Sequence, residues 1–479
     1  MPTETSSFEE VLRSSCETAI SYLSNLDDNR VAATLSLDAL RSRLYRPLTQ
    51  HGIPPEQVIA ELVSDTEGGI MGCAGGRFFA WVIGGALPAA VAADWLTTAW
   101  DQNAALYACS PAASVVEEVA GSWLKEVLGL PLQSSFALVS GCQMAHVTCL
   151  ASARHALLAG RGWDVEKNGI WGAAPFRILV NSHCHGSIQR AVRLLGLGAS
   201  HMVSLSTDDM GRVHPEGLNE ELDRDSDSLT IVVLQAGDIN SGACDRFDML
   251  VPIAKRYGAW VHVDGAFGLW AAASLRYRHL VRGFEEADSW AADGHKWLNV
   301  PFDCGYAFVV HPETHRAAMS YRASYISPNH DARDQIDWNP EWSRRARGFP
   351  TYAALRQLGR DGISNLIERS CSHAHSLVTQ IGQLPGAEVL CEPILNQGLV
   401  RFLDPKQEAN ESDHAARTEA VIAAIAAGGE AFFSASDWNG HRVMRVSVCN
   451  WQTSDTDVKR AVQSVAQVLR DSAGSRTFY

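Results

Sequence analysis

Between about residues 100 and 320, short β-rich runs alternate with helical stretches, and that alternation leaves few architectures open to the chain. The runs are SFALVS (135–140), RILVNS (177–182), LTIVVLQA (229–236), AWVHVD (259–264) and YAFVV (306–310). Helices are predicted up to about 158, over 187–195 and near 247–257. Nearly continuous apolar strands separated by helices predict a mostly parallel sheet covered on both faces. Upstream, residues 8–65 read as helices, with Val11, Ile20, Leu23, Val58 and Leu62 on their apolar sides and Pro54-Pro55 between them. Such an arm is too short to form its own core and should pack on the body or on a second subunit. Beyond a polar loop around 326–342 come a long helix from about 351, the strand GLVRFL (398–403), an Ala-rich helix (414–427), the strand RVMRVSV (442–448) and a last helix opening near Ser454. The expected division is an N-terminal helical, dimer-packing arm (1–75), a large ligand-binding domain (76–350) and a small C-terminal α/β domain (351–479).

A length of 479 residues also exceeds one ordinary core. The net charge of −14 argues against nucleic acid or an anionic membrane as the main partner and leaves small molecules. Acidic residues stand where a signal peptide would be basic, so a cytoplasmic protein is expected. The uncharged run 78–93 is too short for a membrane span and contains Gly84, Gly85 and Pro88, which suits a buried segment or a pocket wall. Eleven cysteines without a C-x-x-C pair suit reduced thiols. His183, Cys184 and His185, or His373 and His375, have no second ligand group at a matching spacing, and no metal is expected.

AWVHVDGAFG ends a strand on Asp264, and in open α/β sheets ligands bind beyond the carboxyl ends of the strands. Gly265, Ala266 and Gly268 leave room for a flat ring against the backbone. A metal or ribose site would show the same strand-Asp-Gly signal. The segment DGHKWLNVPFDCG, 32 positions on, sets Lys296 beside His295 with no other basic residue. Alone, that lysine reads as a surface side chain. Joined to Asp264 it suggests more, because a desolvated lysine has a lowered pKa and forms a Schiff base, and a carboxylate keeps a pyridine nitrogen protonated. Pyridoxal phosphate needs both. It also needs an anion site, for which VSGCQMAHVT offers the N–H groups around Cys142 and Gln143 at a helix start. NSHCHGSIQRA offers a stacking partner: His185 sits between strand and helix, with His183 as its rival. SGCQMAH is no G-x-G-x-x-G fingerprint, so a dinucleotide-binding protein is disfavoured.

Six motifs in order, SPAASVVEEVAGSWLKEVLGLP, SHCHGSIQRAV, HVDGAFG, DGHKWLNVPFDCG, SRRARGFPTYAALRQLGRDG and MRVSVCNWQTSDTDV, resemble the group II pyridoxal-phosphate-dependent decarboxylases, the family of aromatic-L-amino-acid and glutamate decarboxylases. The resemblance runs from about 30 to 470. It implies fold type I, the aspartate-aminotransferase-like α/β fold with a mostly parallel, seven-stranded-type sheet, as a homodimer with the site at the interface and the N-terminal arm exchanged. It implies Lys296 as the Schiff-base lysine, Asp264 at the pyridine nitrogen, Ala266 beneath the ring and His185 stacked on it. Cys142 and Gln143 fall at the phosphate, His295 and Asp293 flank that region, and Ser343, before Arg344 and Arg345, approaches the phosphate of the neighbouring subunit. Phe79, Trp81, Val82 and Ile83 match the wall of the side-chain pocket, although core packing would explain them as well. An apolar wall there favours an aromatic amino acid, and Gly84, where animal aromatic decarboxylases commonly carry a polar residue, weighs against a catechol.

The expected reaction is decarboxylation of an L-amino acid to the amine and CO2. In many relatives a loop tyrosine protonates Cα. The matching segment ISPNHDARDQIDWNPE (326–341) has none, although Tyr321 and Tyr325 precede it. His330 is the candidate donor on its ordinary pKa, with a solvated loop histidine as the plain alternative. Loss of the tyrosine goes with aldehyde formation in the family, so oxidative decarboxylation-deamination, or another pyridoxal-phosphate-dependent lyase or aldolase reaction, stands as the alternative.

Overall fold

The runs richest in Val, Ile and Leu become the centre of a sheet. The computed structural model describes residues 8–321 and 332–474. Its strands in chain order are β1 (Phe78–Phe79), β2 (Ser135–Val139), β3 (Phe176–Asn181), β4 (Met202–Leu205), β5 (Leu229–Gln235), β6 (Trp260–Asp264), β7 (Ser289–Asp293) and β8 (Gly305–Val309). They are followed by β9 (Ala387–Ile394), β10 (Gln397–Phe402), β11 (Phe432–Trp438) and β12 (His441–Ser447). The larger sheet has seven strands in the order β2-β8-β7-β6-β5-β3-β4. β4, β3, β5, β6 and β7 run parallel, and β8 lies antiparallel between β7 and β2. Successive side chains point to opposite faces of a strand, and each face has its own core. Ile178, Val180, Ile231, Val233 and Trp260 pack with the helix Cys142–Ala159, while Leu179, Val232, Leu234, Val261 and Val263 pack on the other side.

Two strands of this sheet escape the sequence reading. β4 is a four-residue edge strand, and β7, Ser-Trp-Ala-Ala-Asp, draws its residues from types with little strand preference apart from Trp290. Its central position makes it a strand.

The second sheet, β1-β11-β12-β10-β9, is antiparallel except for β1, which pairs parallel with β11. The helix Gly348–Gly382 packs against β9 and β10, and Glu411–Gly428 opens on a capping box formed by Asn410 and Asp413. The helices Phe8–Ser24, Leu37–Leu44 and Pro55–Thr66 bury no residue. The polar loop expected around 326–342 is largely buried over residues 334–339. Gln335, Ile336 and Asp337 are buried, and Arg333 lies between the rings of Phe136 and Trp338.

Candidate active site

In the seven-stranded sheet the carboxyl ends of β2, β3, β5, β6 and β7 converge on one cavity of about 750 Å³. Ser140 to Gln143 follow β2, His183 and His185 follow β3, Gln235 and Gly237 close β5, Asp264 and Ala266 close β6, and Asp293, His295 and Lys296 close β7. Segments far apart in sequence meet because parallel strands deliver their ends to one edge.

Lys296 reaches Asp293, Nζ to Oδ2 3.1 Å. Asp293 is held from three sides: it also accepts the Cys142 N–H on Oδ1 at 2.7 Å and faces His295 Nε2 at 3.6 Å. Burial alone would raise its pKa, but Lys296 and His295 outweigh that and hold it below the ordinary carboxylate range. The same pairing corrects the expectation of a lysine with a lowered pKa. Burial pushes the ammonium down, yet Asp293, Cys142 and Asp264 together lift it above the ordinary lysine value. The segment itself carries Asp293, and the fold brings a second carboxylate, Asp264, to the amine.

The backbone under Lys296 is fixed by a tight approach. A Cβ at Gly84 would come within 1.8 Å of the Lys296 carbonyl oxygen. Asn299 takes a left-handed turn at φ 57°, and its side-chain amide donates to the carbonyls of Trp297 and Cys449 at 2.8 and 2.9 Å.

Asp264 is 7% exposed and accepts the Ala266 N–H on Oδ1 at 3.2 Å. Burial would raise its pKa, but His146, His185 and Lys296 more than offset this, so the carboxylate is held below its usual range. Its other oxygen faces His146 Nε2 at 3.6 Å. His146, His262 and Ser289 are fully buried and were missed in the sequence reading. Two signals were available: in AWVHVD, His262 is two positions before Asp264 and so on its face of the strand, and His146 is four positions after Cys142 and so on its face of the helix.

His185 caps the helix Gly186–Leu194, its Nδ1 accepting the Ser187 N–H at 3.3 Å and lying 2.7 Å from the Ser187 hydroxyl, and is exposed at the cavity wall. His183 is engaged elsewhere, its ring 4.7 Å from that of Trp438. The phosphate expectation changes at Cys142, whose N–H is taken by Asp293. Since Met144 and Ala145 donate to the Gly141 carbonyl, Gln143 keeps the open N–H of the first turn, and its side-chain Nε2 is buried without a partner. A Cβ on Gly141 would fill the adjacent space, 3.0 Å from His295 Cε1. An orphaned amide donor, a backbone cradle, a lysine and an ionised carboxylate in one cavity fit pyridoxal phosphate.

The expected substrate wall falls elsewhere. Phe79 belongs to the core of the second sheet, its ring 5.2 Å from that of Phe433, because β1 pairs there. Val82 is core, Ile83 packs near Phe78, and Trp81 is 53% exposed, so none of the four lines this cavity. Ser343 is exposed and outside the cavity of its own chain, beside Arg344, which forms a buried pair with Glu117 at 2.7 Å, and Arg345, which pairs with Asp94 at 2.7 Å. Tyr321 is exposed next to Trp342, while Tyr325 and His330 lie outside the described residues.

Residues 47–403 match the family model of the pyridoxal-dependent decarboxylase conserved domain. The chain is 23% identical to an aromatic-L-amino-acid decarboxylase of Bacillus atrophaeus over 94% of this chain and 93% of that protein. It is 26% identical to a phenylacetaldehyde synthase of a Rosa hybrid cultivar over 82% and 80% respectively. The crystal structure of Oryza sativa TDC with PLP and tryptamine superposes with a TM-score of 0.91 at 21% identity, covering 98% of this chain and 99% of that one.

Proposed function

The chain belongs to the pyridoxal-dependent decarboxylase family and is a pyridoxal-phosphate-dependent carboxy-lyase, and from that premise we propose that its substrate is an L-amino acid with an aromatic side chain, released as the amine and CO2. The observation that carries the assignment of roles is the meeting of Lys296, Asp293 and Asp264 at the carboxyl ends of β6 and β7 in one cavity. Bound pyridoxal phosphate supplies a ring that takes up the electrons of the bond to the departing CO2. In this reading Lys296 holds the cofactor and Asp264 keeps its ring nitrogen protonated. Ala266 and His185 both line the cavity and would bound the two faces of the ring. The N–H and side-chain amide of Gln143 serve the phosphate. Asp293 and His295 position Lys296 and the turn around it, and the proton for Cα is assigned to His330.

The aromatic preference draws support from the relatives that act on, or are named for, aromatic compounds. Its test is product analysis by mass spectrometry on the loaded enzyme with L-tryptophan, L-tyrosine, L-phenylalanine, L-glutamate and L-2,4-diaminobutyrate. Amine and CO2 in equal amounts from an aromatic substrate are expected. Turnover confined to the last two would sink the substrate class. A second reading, conversion with O2 and water to the aldehyde, CO2, ammonia and hydrogen peroxide, is favoured by the absence of tyrosine from 326–341 and by the phenylacetaldehyde synthase among the relatives. Peroxide in step with CO2 would establish it.

The working unit in this reading is a homodimer. Phe8, Leu12, Ile20, Leu48 and Trp95 are exposed, and a monomer seldom leaves so much apolar surface open. Trp81 faces outward too, and with Ser343 it is available to the site of a second copy. Sedimentation should give twice the 52.1 kDa chain mass; a monomer that turns over substrate at full rate would refute the shared site. All eleven cysteines are free thiols and seven are buried, which supports a reducing, cytoplasmic setting. No helix among the described residues is long and apolar enough to cross a membrane.

A further inference from the structure

Behind Asp264 a line of buried polar groups runs through an otherwise apolar layer. His146 Nδ1 lies 2.9 Å from His262 Nε2, His262 Nδ1 lies 2.9 Å from Ser289 Oγ, and Trp260 Nε1 lies 2.9 Å from the same hydroxyl. His262 and Ser289 are paired neighbours on β6 and β7, and both rings, fully buried, lie edge to face. Their surroundings are the core formed by Trp260, Val233, Ala291 and the helix Cys142–Ala159. Four polar side chains in such a layer need a reason, because an incompletely satisfied network there is costly.

With both rings neutral, the carboxylate end fixes the direction of the bonds. An indole N–H can only donate and a carboxylate can only accept. Trp260 therefore donates to Ser289; the hydroxyl could accept a second bond, and it donates to His262 Nδ1 because the order set at Asp264 leaves that nitrogen a lone pair. His262, neutral, carries its hydrogen on Nε2 and donates to His146 Nδ1. His146, neutral in turn, carries its hydrogen on Nε2, the buried nitrogen that faces Asp264 Oδ2 across 3.6 Å and has no hydrogen-bond partner. The opposite order would point a lone pair at a carboxylate.

We propose that Trp260, Ser289, His262 and His146 form a one-way donor chain that presents a neutral N–H to Asp264, making His146 and His262 positioning residues that keep this carboxylate charged and oriented for the cofactor's ring nitrogen. Neutrality is the point of the device. An imidazolium at His146 would cancel the negative charge the pyridinium needs, whereas a neutral N–H steadies the carboxylate and leaves its charge intact. Burial works in the same direction, since it pulls both histidines down, His262 to about 3. The inference rests on the assignment of Asp264 to the ring nitrogen.

Two measurements test it. In the cofactor-free protein, nitrogen NMR of labelled histidine should find His146 and His262 as neutral Nε2–H tautomers at neutral pH; an Nδ1–H tautomer or an imidazolium at either one overturns the chain. In the loaded enzyme, nitrogen NMR of ring-labelled cofactor reads the protonation of the pyridine directly. His262→Leu, at a residue that does not line the cavity, should move that signal toward unprotonated pyridine and lower kcat about 10- to 100-fold, the general range for outer-shell partners, with KM little changed. His262→Gln, which can restore an N–H toward His146, should bring both back. Equal shifts in Leu and Gln variants, or none in either, would reduce His262 to packing. If the Leu variant does not fold, Ser289→Ala decides, since an unmoved ring signal there also overturns the proposal. Asp264→Asn is the control: if it leaves the ring signal unchanged, the assignment of Asp264 fails, a result distinct from failure of the chain behind it.

Discussion

Asp264→Ala should lower kcat/KM by ~10²–10³, which is about 2.7–4 kcal/mol of transition-state stabilisation, the scale for one preorganised electrostatic group. The carboxylate is 7% exposed and held by the Ala266 N–H, and the other carboxylate of the cavity, Asp293, is engaged by Lys296 and the Cys142 N–H. Asp264→Asn keeps the shape and the contact with Ala266 while removing the charge. It should be nearly as damaging as Ala, whereas a loss due to packing would be much smaller in Asn than in Ala. Steady-state kinetics on preparations matched for cofactor content separate the two cases. Near-normal turnover in Asn with cofactor bound would refute the electrostatic role. The pH dependence follows in sign. Burial favours the neutral acid, but His146, His185 and Lys296 outweigh it and the folded pKa is depressed. The stabilisation linked to Asp264 is therefore present above the unfolded value, ~3.9, and is lost only as pH falls through the lower folded value. An acid limb in the rate profile near neutrality belongs to another group.

The elements legible in the sequence are those whose local signal and tertiary role agree. β3, β5 and β6 are buried on both faces and read as short, mostly apolar, β-branched-rich runs between helical stretches, so their positions could be found in the sequence. β7 could not, since Ala291 and Ala292 are strand residues only because β6 and β8 flank them. Within the site, Lys296 and Asp264 stood out because each interrupts a pattern. His146 and His262 passed as ordinary members of a helix and a strand, and their meaning appears only when the helix Cys142–Ala159 is laid on the sheet. The pKa of Lys296 was misread although Asp293, its strongest support, stands only three positions before it; the second carboxylate, Asp264, lies 32 positions away on another strand and reaches it only through the fold. Phe79 shows the converse. An apolar run consistent with a pocket wall is used by β1 to extend a different sheet.

Lys296→Arg and Lys296→Ala should both abolish the covalent attachment of cofactor, and activity should fall by at least ~10²–10⁴, the range for loss of a positioned acid-base group, yet the two proteins should differ in stability. Arginine keeps a cation for Asp293, while its guanidinium cannot be deprotonated to act as a nucleophile. Alanine leaves Asp293, 2% exposed, with only the Cys142 N–H and His295, and removing one partner of a buried ion pair costs more than the pair contributes. The expected pattern is no visible absorbance from lysine-bound cofactor in either variant, with Tm lower in Ala than in Arg. Absorbance surviving in the Arg variant would mean that another amine holds the cofactor. In the cofactor-free wild type, burial lowers the Lys296 pKa and Asp293, Cys142 and Asp264 raise it further than burial lowers it. Only the neutral amine attacks an aldehyde, so attachment at constant cofactor should speed up about tenfold per pH unit below that pKa. The stability linked to the raised pKa runs the other way, complete below the unfolded lysine value of ~10.4 and lost as pH rises through the folded one. Attachment and stability should therefore diverge in alkali, the first rising while the second falls. Asp293→Asn, by removing the strongest support for the ammonium, should bring faster attachment at neutral pH at the expense of a lower Tm.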